Sequence, residues 1–360
     1  MTDLARIQNP NDSAMDQLCQ VLADRAGSLD ATGDWPVEQL QLCAKAGVYR
    51  WFLDPEHGGY GWGEADLMRG YLRLSAACLT TAFVITQATG ALRRIAASAG
   101  GELRERLLPP LLTGETFTTL GISHLTTSRR HLARVALRAE ETEAGYRLEG
   151  FSPWVTGGMH ADWIVTGAQL EDGRQILIVL PTDLPSVEFD EPQSLVALTA
   201  SHTGAVQIRG AELNEQWLLA GPVENVVASA TGASTGGLQT SALAIGMTDR
   251  AIELVETESE KRSELLEPAA ALRREQERLQ ADLLLLAAGE QTCTSEDLRA
   301  GANSLALRAA QASLAAAKGT GYVQGHAAGR WCREALFFLV WSCPAPVMAS
   351  NLCELAGISD

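Results

Sequence analysis

The chain has 360 residues, which is enough for two or three domains. Hydrophobic residues make up 46% and charged residues 20%, and these ordinary globular values exclude a disordered, collagen-like or disulfide-scaffold chain. Acidic residues outnumber basic ones by 44 to 28, giving a formal net charge of −16. We therefore expect no nucleic-acid partner and no attraction to an anionic membrane.

The sequence predicts a cytoplasmic protein. Its most apolar run, residues 335–341, is far shorter than the roughly 18 residues of a membrane span. The N-terminus lacks the basic patch and apolar core of a signal peptide. The seven cysteines form no CxxC pair, so we expect free thiols. The six histidines lack metal-ligand spacing, and no metal site is expected.

The first two segments differ in their hydrophobic period. Residues 1–115 have helical composition; Asp34 is expected to cap a helix that has Pro36 in its first turn and Gly47 at its end. Residues 116–219 are predicted to form a β domain, because apolar residues alternate over 134–140 and β-rich stretches follow at 163–168, 176–180 and 206–208. Short strands separated by turns favour a small barrel or sandwich.

The third segment, residues 220–360, is helical again. Helices are predicted over 238–262, from Pro268 to about residue 288, from a capping box at Thr294 and Asp297, and over 328–340. Short connections between four helices favour an antiparallel four-helix bundle. The predicted fold class is therefore α+β: a helical N-terminal domain, a central β-barrel or sandwich, and a C-terminal bundle.

Several local motifs follow this order along the chain. They are W-P-V-E from Trp35, P-E-H-G-G-Y-G from Pro55, Y-R-L-E-G from Tyr146, W-V-T-G-G from Trp154, and G-T-G-Y from Gly319, followed by Arg330, Arg333 and Glu334. From about Trp35 to its end, the chain resembles the acyl-CoA dehydrogenase flavoproteins. The resemblance rests on these matches occurring together and in the right register.

The resemblance implies FAD as the cofactor and an acyl thioester, or a related small molecule, as the substrate. In the family, the Trp-x-Thr strand lies beside the isoalloxazine ring; here it is Trp154, Val155 and Thr156, whose hydroxyl would donate to flavin N5. Arg262 occupies the position of the arginine that reaches the pyrophosphate of the neighbouring subunit's FAD, although Leu265-Leu266 replaces the usual Phe-Gly. Gly319 and Gly321 would let backbone amides approach the adenosine diphosphate. Such shared sites imply a homodimer or homotetramer.

The loop that meets the flavin in the family is different here. It runs from Ser123 and His124, which become candidate cofactor contacts, to His131. Arg129 and Arg130 place two cations in this loop, where they could meet an anionic group or remain surface charges.

The catalytic carboxylate of the family is missing. Ser342 occupies the position of the glutamate in Y-E-G-T, and Gly236 and Gly237 occupy the alternative site. A serine hydroxyl is no equivalent base at neutral pH without an activating partner. Three functions stay open: a dehydrogenase acting on a CH-CH group with a base elsewhere, a flavin-dependent monooxygenase on the same fold, and a non-catalytic subunit of a heterotetramer with a paralogue.

Overall fold

The computed structural model describes residues 4–98, 100–126, 135–229 and 237–358. Over these ranges the chain forms a helical N-terminal region, a central sheet and a helical C-terminal region, so the predicted α+β fold class is confirmed. One apolar core joins the two helical regions and reaches into the sheet, and a second core lies within the sheet itself.

The N-terminal region contains five helices: α1 (Ser13–Thr32), α2 (Val37–Lys45), α3 (Glu64–Ala77), α4 (Leu79–Ala96) and α5 (Gly101–Thr113). Pro36 itself is the N-cap of α2, with no side-chain capping bond, so the prediction that Asp34 caps this helix is wrong. The locked φ of proline starts the helix without a capping side chain. Gly47, at φ 84°, ends the helical turn as predicted.

The central sheet contains eight strands: β1 (Thr118–Gly121), β2 (Leu137–Thr142), β3 (Gly145–Thr156), β4 (Trp163–Gln169), β5 (Gln175–Pro181), β6 (Val187–Phe189), β7 (Thr203–Asn214) and β8 (Leu218–Val223). Their order is β6-β7-β3-β2-β4-β5-β8, with β1 parallel to β4. The long antiparallel pair of β3 and β7 sets Thr156 directly opposite Thr203. Two short helices, α6 (Ser123–Thr126) and α7 (Val226–Ser229), flank the sheet. The predicted domain limits, 1–115, 116–219 and 220–360, remain predictions.

The C-terminal region contains α8 (Leu238–Ser259), α9 (Leu266–Ala287), α10 (Ser295–Gly321), α11 (Ala327–Ala335) and α12 (Ala345–Leu355). The backbone N–H of Asp297 donates to Thr294 Oγ1 at 3.0 Å, which confirms the predicted cap of α10. The fourth predicted helix is α-helical only to Ala335 and continues as a 3-10 turn to Leu339, and α12 was not predicted. None of the helices in the described ranges is long and apolar enough to cross a membrane.

Candidate active site

A cavity of about 590 Å³ lies between α4, the end of β3 and the segment that follows α11. Its volume is in the range of small-molecule sites. Four of the sequence-predicted site residues line it together, although they come from three separate segments: Ser123, Trp154, Thr156 and Ser342.

Helix α4 supplies one wall of the cavity. Phe83, Gln87, Gly90 and Arg94 recur every three or four residues and therefore lie on one helical face. Arg94 is only 3% exposed, and its Nη1 donates to the carbonyl oxygen of Gly90 at 2.9 Å. Burial, and secondarily the charge of Arg93, lowers the pKa of Arg94 to about 10, so its guanidinium remains a cation at neutral pH.

The end of β3 supplies the opposite wall. The Trp154 side chain is left 47% exposed against the cavity, whereas the next residue, Val155, is packed in the core of the sheet and does not line the cavity. Thr156 lines the cavity again, and its Oγ1 lies 3.0 Å from Thr203 Oγ1. Thr119 Oγ1 donates to the backbone oxygen of Thr156 at 2.7 Å, which fixes the strand end.

The two loop candidates differ in their placement. Ser123 lines the cavity, and among the described residues its buried Oγ has no hydrogen-bond partner. His124 is buried with Nε2 2.7 Å from the carbonyl oxygen of Gly167 and is not part of the cavity lining. Arg129, Arg130 and His131 lie outside the described residues, as does Gly236.

Ser342 lies in the segment after α11 that closes the cavity. Its φ is 43°, an unusual left-handed conformation for a residue other than glycine. The neighbouring backbone is held from α10: Arg299 Nη2 donates to the carbonyl oxygen of Trp341 at 3.0 Å, and Asn303 Nδ2 to that of Phe338 at 3.1 Å. These bonds fix position 342 on the cavity wall.

The cavity lining is positively charged. Among the lining residues that the structure describes, Arg94 and Arg333 are the only ionisable ones, and none is an aspartate or glutamate. Arg333 is paired with Asp30 through hydrogen bonds of 2.9 and 2.6 Å. Residues 127–134 and 230–236, which lie outside the described ranges, contain no aspartate or glutamate in their sequence. The lining residues that the structure describes therefore bring no carboxylate to this cavity.

The remaining candidates lie elsewhere in the bundle. Arg262 donates to Glu258 at 2.7 Å and to the carbonyl oxygen of Ala316, near the end of α10 that carries Gly319 and Gly321. None of these three candidate residues lines the cavity. The Arg262 guanidinium is thus held by its own chain in this structure.

Sequence reasoning missed Arg94 and Thr203 as cavity residues. A signal for Arg94 was present, because it is the one charged position among the buried residues of α4. Thr203 carries no such signal, since its place opposite Thr156 depends on the pairing of two strands that are far apart in the sequence.

A histidine pair connects the helical N-terminal region to the sheet beside this site. His202 Nε2 lies 3.0 Å from the carbonyl oxygen of Gly33, so it donates, and His202 Nδ1 accepts from His160 Nε2 at 2.8 Å. The ring of Trp35 stacks on His160 with centroids 4.4 Å apart. Burial, with the neighbouring His202, lowers the pKa of His160 to about 4.

We expect this pair to make stability pH-dependent. A histidine whose folded pKa is depressed below its ordinary 6.5 contributes stability above that pH and loses it as the pH falls towards 4. Because the ring is partly exposed, the loss should be on the order of 1 kcal/mol. The measurement is urea unfolding at pH 7 and pH 4.5. Between these pH values the free energy of unfolding should fall less in His160→Asn than in the parent protein. In His57→Asn, which changes a histidine outside the pair, the free energy of unfolding should fall as much as in the parent. An equal fall in the parent and both variants would contradict the assignment of this pH dependence to His160.

Comparison with known proteins identifies this architecture. Residues 8–115 match the family model "Acyl-CoA dehydrogenase, N-terminal domain". The Bacillus subtilis (strain 168) protein named "Probable acyl-CoA dehydrogenase YngJ" is 21% identical over 260 residues, which cover 69% of this chain and 67% of the relative.

Solved structures share the fold over nearly the whole chain. A glutaryl-coenzyme A dehydrogenase in complex with glutaryl-CoA has a TM-score of 0.82 at 15% identity, covering 97% of this chain and 96% of its own. The prolyl acyl carrier protein oxidase AnaB has a TM-score of 0.78 at 14% identity, covering 96% and 99%. The resemblance seen in the motifs is confirmed: residues 8–115 match the N-terminal domain model of the acyl-CoA dehydrogenases, and nearly the whole chain shares the fold of solved acyl-CoA dehydrogenase structures.

The ring side of the cavity fits the flavin that the family implies. An exposed indole offers a stacking surface, the orphaned Ser123 Oγ offers a hydrogen-bonding atom, and Thr156 offers a hydroxyl group in the same cavity. The pyrophosphate side fits less well, because the hydrogen bonds of Arg262 are already directed to Glu258 and Ala316.

Proposed function

We propose that the chain binds FAD with the isoalloxazine ring against Trp154 and Thr156, and that it oxidises a CH-CH group of an acyl thioester or a related substrate. The observation that carries this proposal is that one cavity gathers the exposed indole of Trp154, the hydroxyl groups of Ser123 and Thr156, and a buried arginine. The similar proteins named above act on a CoA thioester and on a carrier-protein substrate, so both thioester classes are candidate substrates.

When bound, the flavin would accept a hydride from the β-carbon of the substrate, and the proton lost from the α-carbon would have to pass to a base outside the described cavity lining, which contains no carboxylate. This chain's residues would prepare the site for that step. Trp154 would cover the ring, Ser123 and Thr156 would hydrogen-bond to it, and Phe83, Phe337 and Trp341, whose rings contact one another at 4.8 to 5.1 Å, would keep water out. The Arg94 cation would offset negative charge that develops in the cavity.

Two other functions on the same fold remain candidates because the described lining contains no carboxylate. A flavin-dependent monooxygenase needs no abstraction of an α-proton, and a partner subunit of a heteromeric dehydrogenase could leave the base to its paralogue. A neighbouring gene that encodes a paralogue with an intact E-G-T stretch would favour the heteromer.

The cofactor proposal is tested on the purified protein. We expect a flavin spectrum, and a melting temperature that rises with added FAD, because a ligand that binds only the native state stabilises it. Trp154→Ala should weaken FAD binding about 3- to 10-fold, the loss of one aromatic stacking contact. Met159→Ala is the matched control, since Met159 is exposed at 48% but does not line the cavity. A colourless protein whose melting temperature does not change when FAD is added would refute the proposal.

We also propose that the chain assembles as a homodimer or homotetramer through its C-terminal helices. Large apolar side chains are exposed there, including Tyr322 at 86% and Val323 at 63% near Gly319, and Leu352 and Leu355 on α12. Burying such a surface against a second copy would stabilise the pair. If light scattering shows a monomer and this monomer still contains bound FAD, the proposal of a site shared between subunits would be contradicted.

A further inference from the structure

Three hydroxyl groups form a chain that ends in the cavity. Thr156 on β3 and Thr203 on β7 are direct partners in the sheet, with their Oγ1 atoms 3.0 Å apart. Ser201 Oγ lies 2.9 Å from Thr203 Oγ1. Thr156 and Thr203 line the cavity, whereas Ser201 is completely buried behind them.

The loop that carries Ser201 is held in a strained conformation. Leu198 at φ 61° and His202 at φ 43° bracket the short 3-10 turn Thr199–Ser201, and neither is a glycine. Such a conformation persists only where its surroundings enforce it. Here His202 donates to the carbonyl oxygen of Gly33, and the backbone N–H of Gly157 donates to the carbonyl oxygen of Ser201 at 3.0 Å. The loop is therefore fixed beneath Thr156.

Proton counting favours one direction along this chain. Three hydroxyls carry three protons, and two hydrogen bonds use two of them. Among the described residues, Thr203 Oγ1 is the only partner of the Ser201 side chain. If Thr156 donated to Thr203 and Thr203 to Ser201, the Ser201 proton would be buried without an acceptor, which is costly. In the opposite direction Ser201 donates to Thr203, Thr203 donates to Thr156, and the spare proton belongs to Thr156 at the cavity. A third arrangement, in which Ser201 and Thr156 both donate to Thr203, would leave the spare proton on Thr203, and the Thr203→Val variant distinguishes it from the second.

We infer that Ser201 and Thr203 are positioning residues that direct the hydroxyl proton of Thr156 into the cavity. The inference rests on the proposed placement of the flavin, because the acceptor there would be N5. Without Thr203 as a donor, the Thr156 hydroxyl could rotate its proton towards Thr203. When Thr203 donates to Thr156 Oγ1, that side of the oxygen accepts a hydrogen bond, and the Thr156 proton can point only towards the cavity. A strand threonine thereby becomes a donor of fixed orientation before any ligand binds.

The test uses the full-length protein loaded with ¹⁵N-labelled FAD and reads the N5 resonance, which moves upfield when N5 accepts a hydrogen bond. Thr156→Val should lose the upfield shift and so calibrates it. Thr203→Val should lose most of the same shift, and Thr203→Ser should restore it. Thr166→Val is the matched control, because Thr166 is a buried threonine of the same sheet that donates to Gly121 and does not line the cavity; it should leave N5 unchanged.

Each outcome bears on a different claim. No bound flavin, or no effect of Thr156→Val on N5, would overturn the proposed cofactor placement. An effect of Thr156→Val without any effect of Thr203→Val would overturn the inference alone. A larger upfield shift in Thr203→Val would also overturn it, because Thr156 would then have been donating to Thr203. If Thr203→Val does not fold, Ser201→Ala should still reduce the N5 shift, and an unchanged shift in that variant would equally refute the inference.

Discussion

Gly246→Ala is expected to lower the free energy of unfolding by about 3 kcal/mol, the upper range for overpacking a well-packed core. Gly246 lies in α8 where this helix crosses α3. A Cβ added there would lie 2.1 Å from Ser75 Oγ and 2.4 Å from the carbonyl oxygen of Leu72. The serine hydroxyl can rotate away, but the Leu72 backbone is part of a helix and cannot. The two helices would have to separate.

The measurement is urea unfolding, with Gly101→Ala as the matched control. Gly101 begins α5, and a Cβ there meets nothing within 4 Å. We expect the midpoint of Gly246→Ala to fall while the slope stays constant, which marks a loss of stability rather than a change in the unfolded chain. A midpoint no lower than that of Gly101→Ala would show that the crossing of α3 and α8 is looser than the structure has it.

Most of the fold could be predicted from the sequence because the hydrophobic period changes between segments. The β-rich stretches at 163–168 and 176–180 became β4 and β5, and the capping box at Thr294 opened α10. The predictions that failed depend on features with weak local signals. Asp34 carries a good capping side chain, but Pro36 begins α2 without it. Helix α12 follows Pro344 and has few charged residues, so it lacked the polar stripe that marks a surface helix.

The site was only partly predictable. The Trp-x-Thr motif located Trp154 and Thr156, because both belong to one strand with a fixed register. His124 looked equally suitable in the sequence, yet its ring is buried against Gly167. Arg94 and Thr203 line the cavity only because α4, β3 and β7 pack together. The local spacing of residues does not predict such contacts, because these elements are far apart in the sequence.

Ser342→Glu is expected to increase flavin reduction by a saturated acyl thioester, measured anaerobically, by about 10²- to 10⁴-fold, the usual contribution of a general base. The described lining of the cavity contains no carboxylate, and Ser342 is on its wall. Ser342, which has a Cβ atom, already adopts the left-handed φ of 43°. Replacing it with glutamate therefore adds little backbone strain. Arg299 and Asn303 hold the neighbouring backbone and should keep the new side chain in place.

Ser342→Gln is the matched control, because it has the same shape without a basic oxygen. The gain of Ser342→Glu should grow as the pH rises through the titration of the new carboxyl group, and Ser342→Gln should show no gain at any pH. Rapid flavin reduction by the unmodified protein would mean that another residue is the base and that position 342 does not have the role assigned to it. If the flavin binds in both variants and neither is reduced, the pocket is built for other chemistry. The monooxygenase and the partner subunit would then be favoured, and oxygen consumption with a second reductant would separate these two.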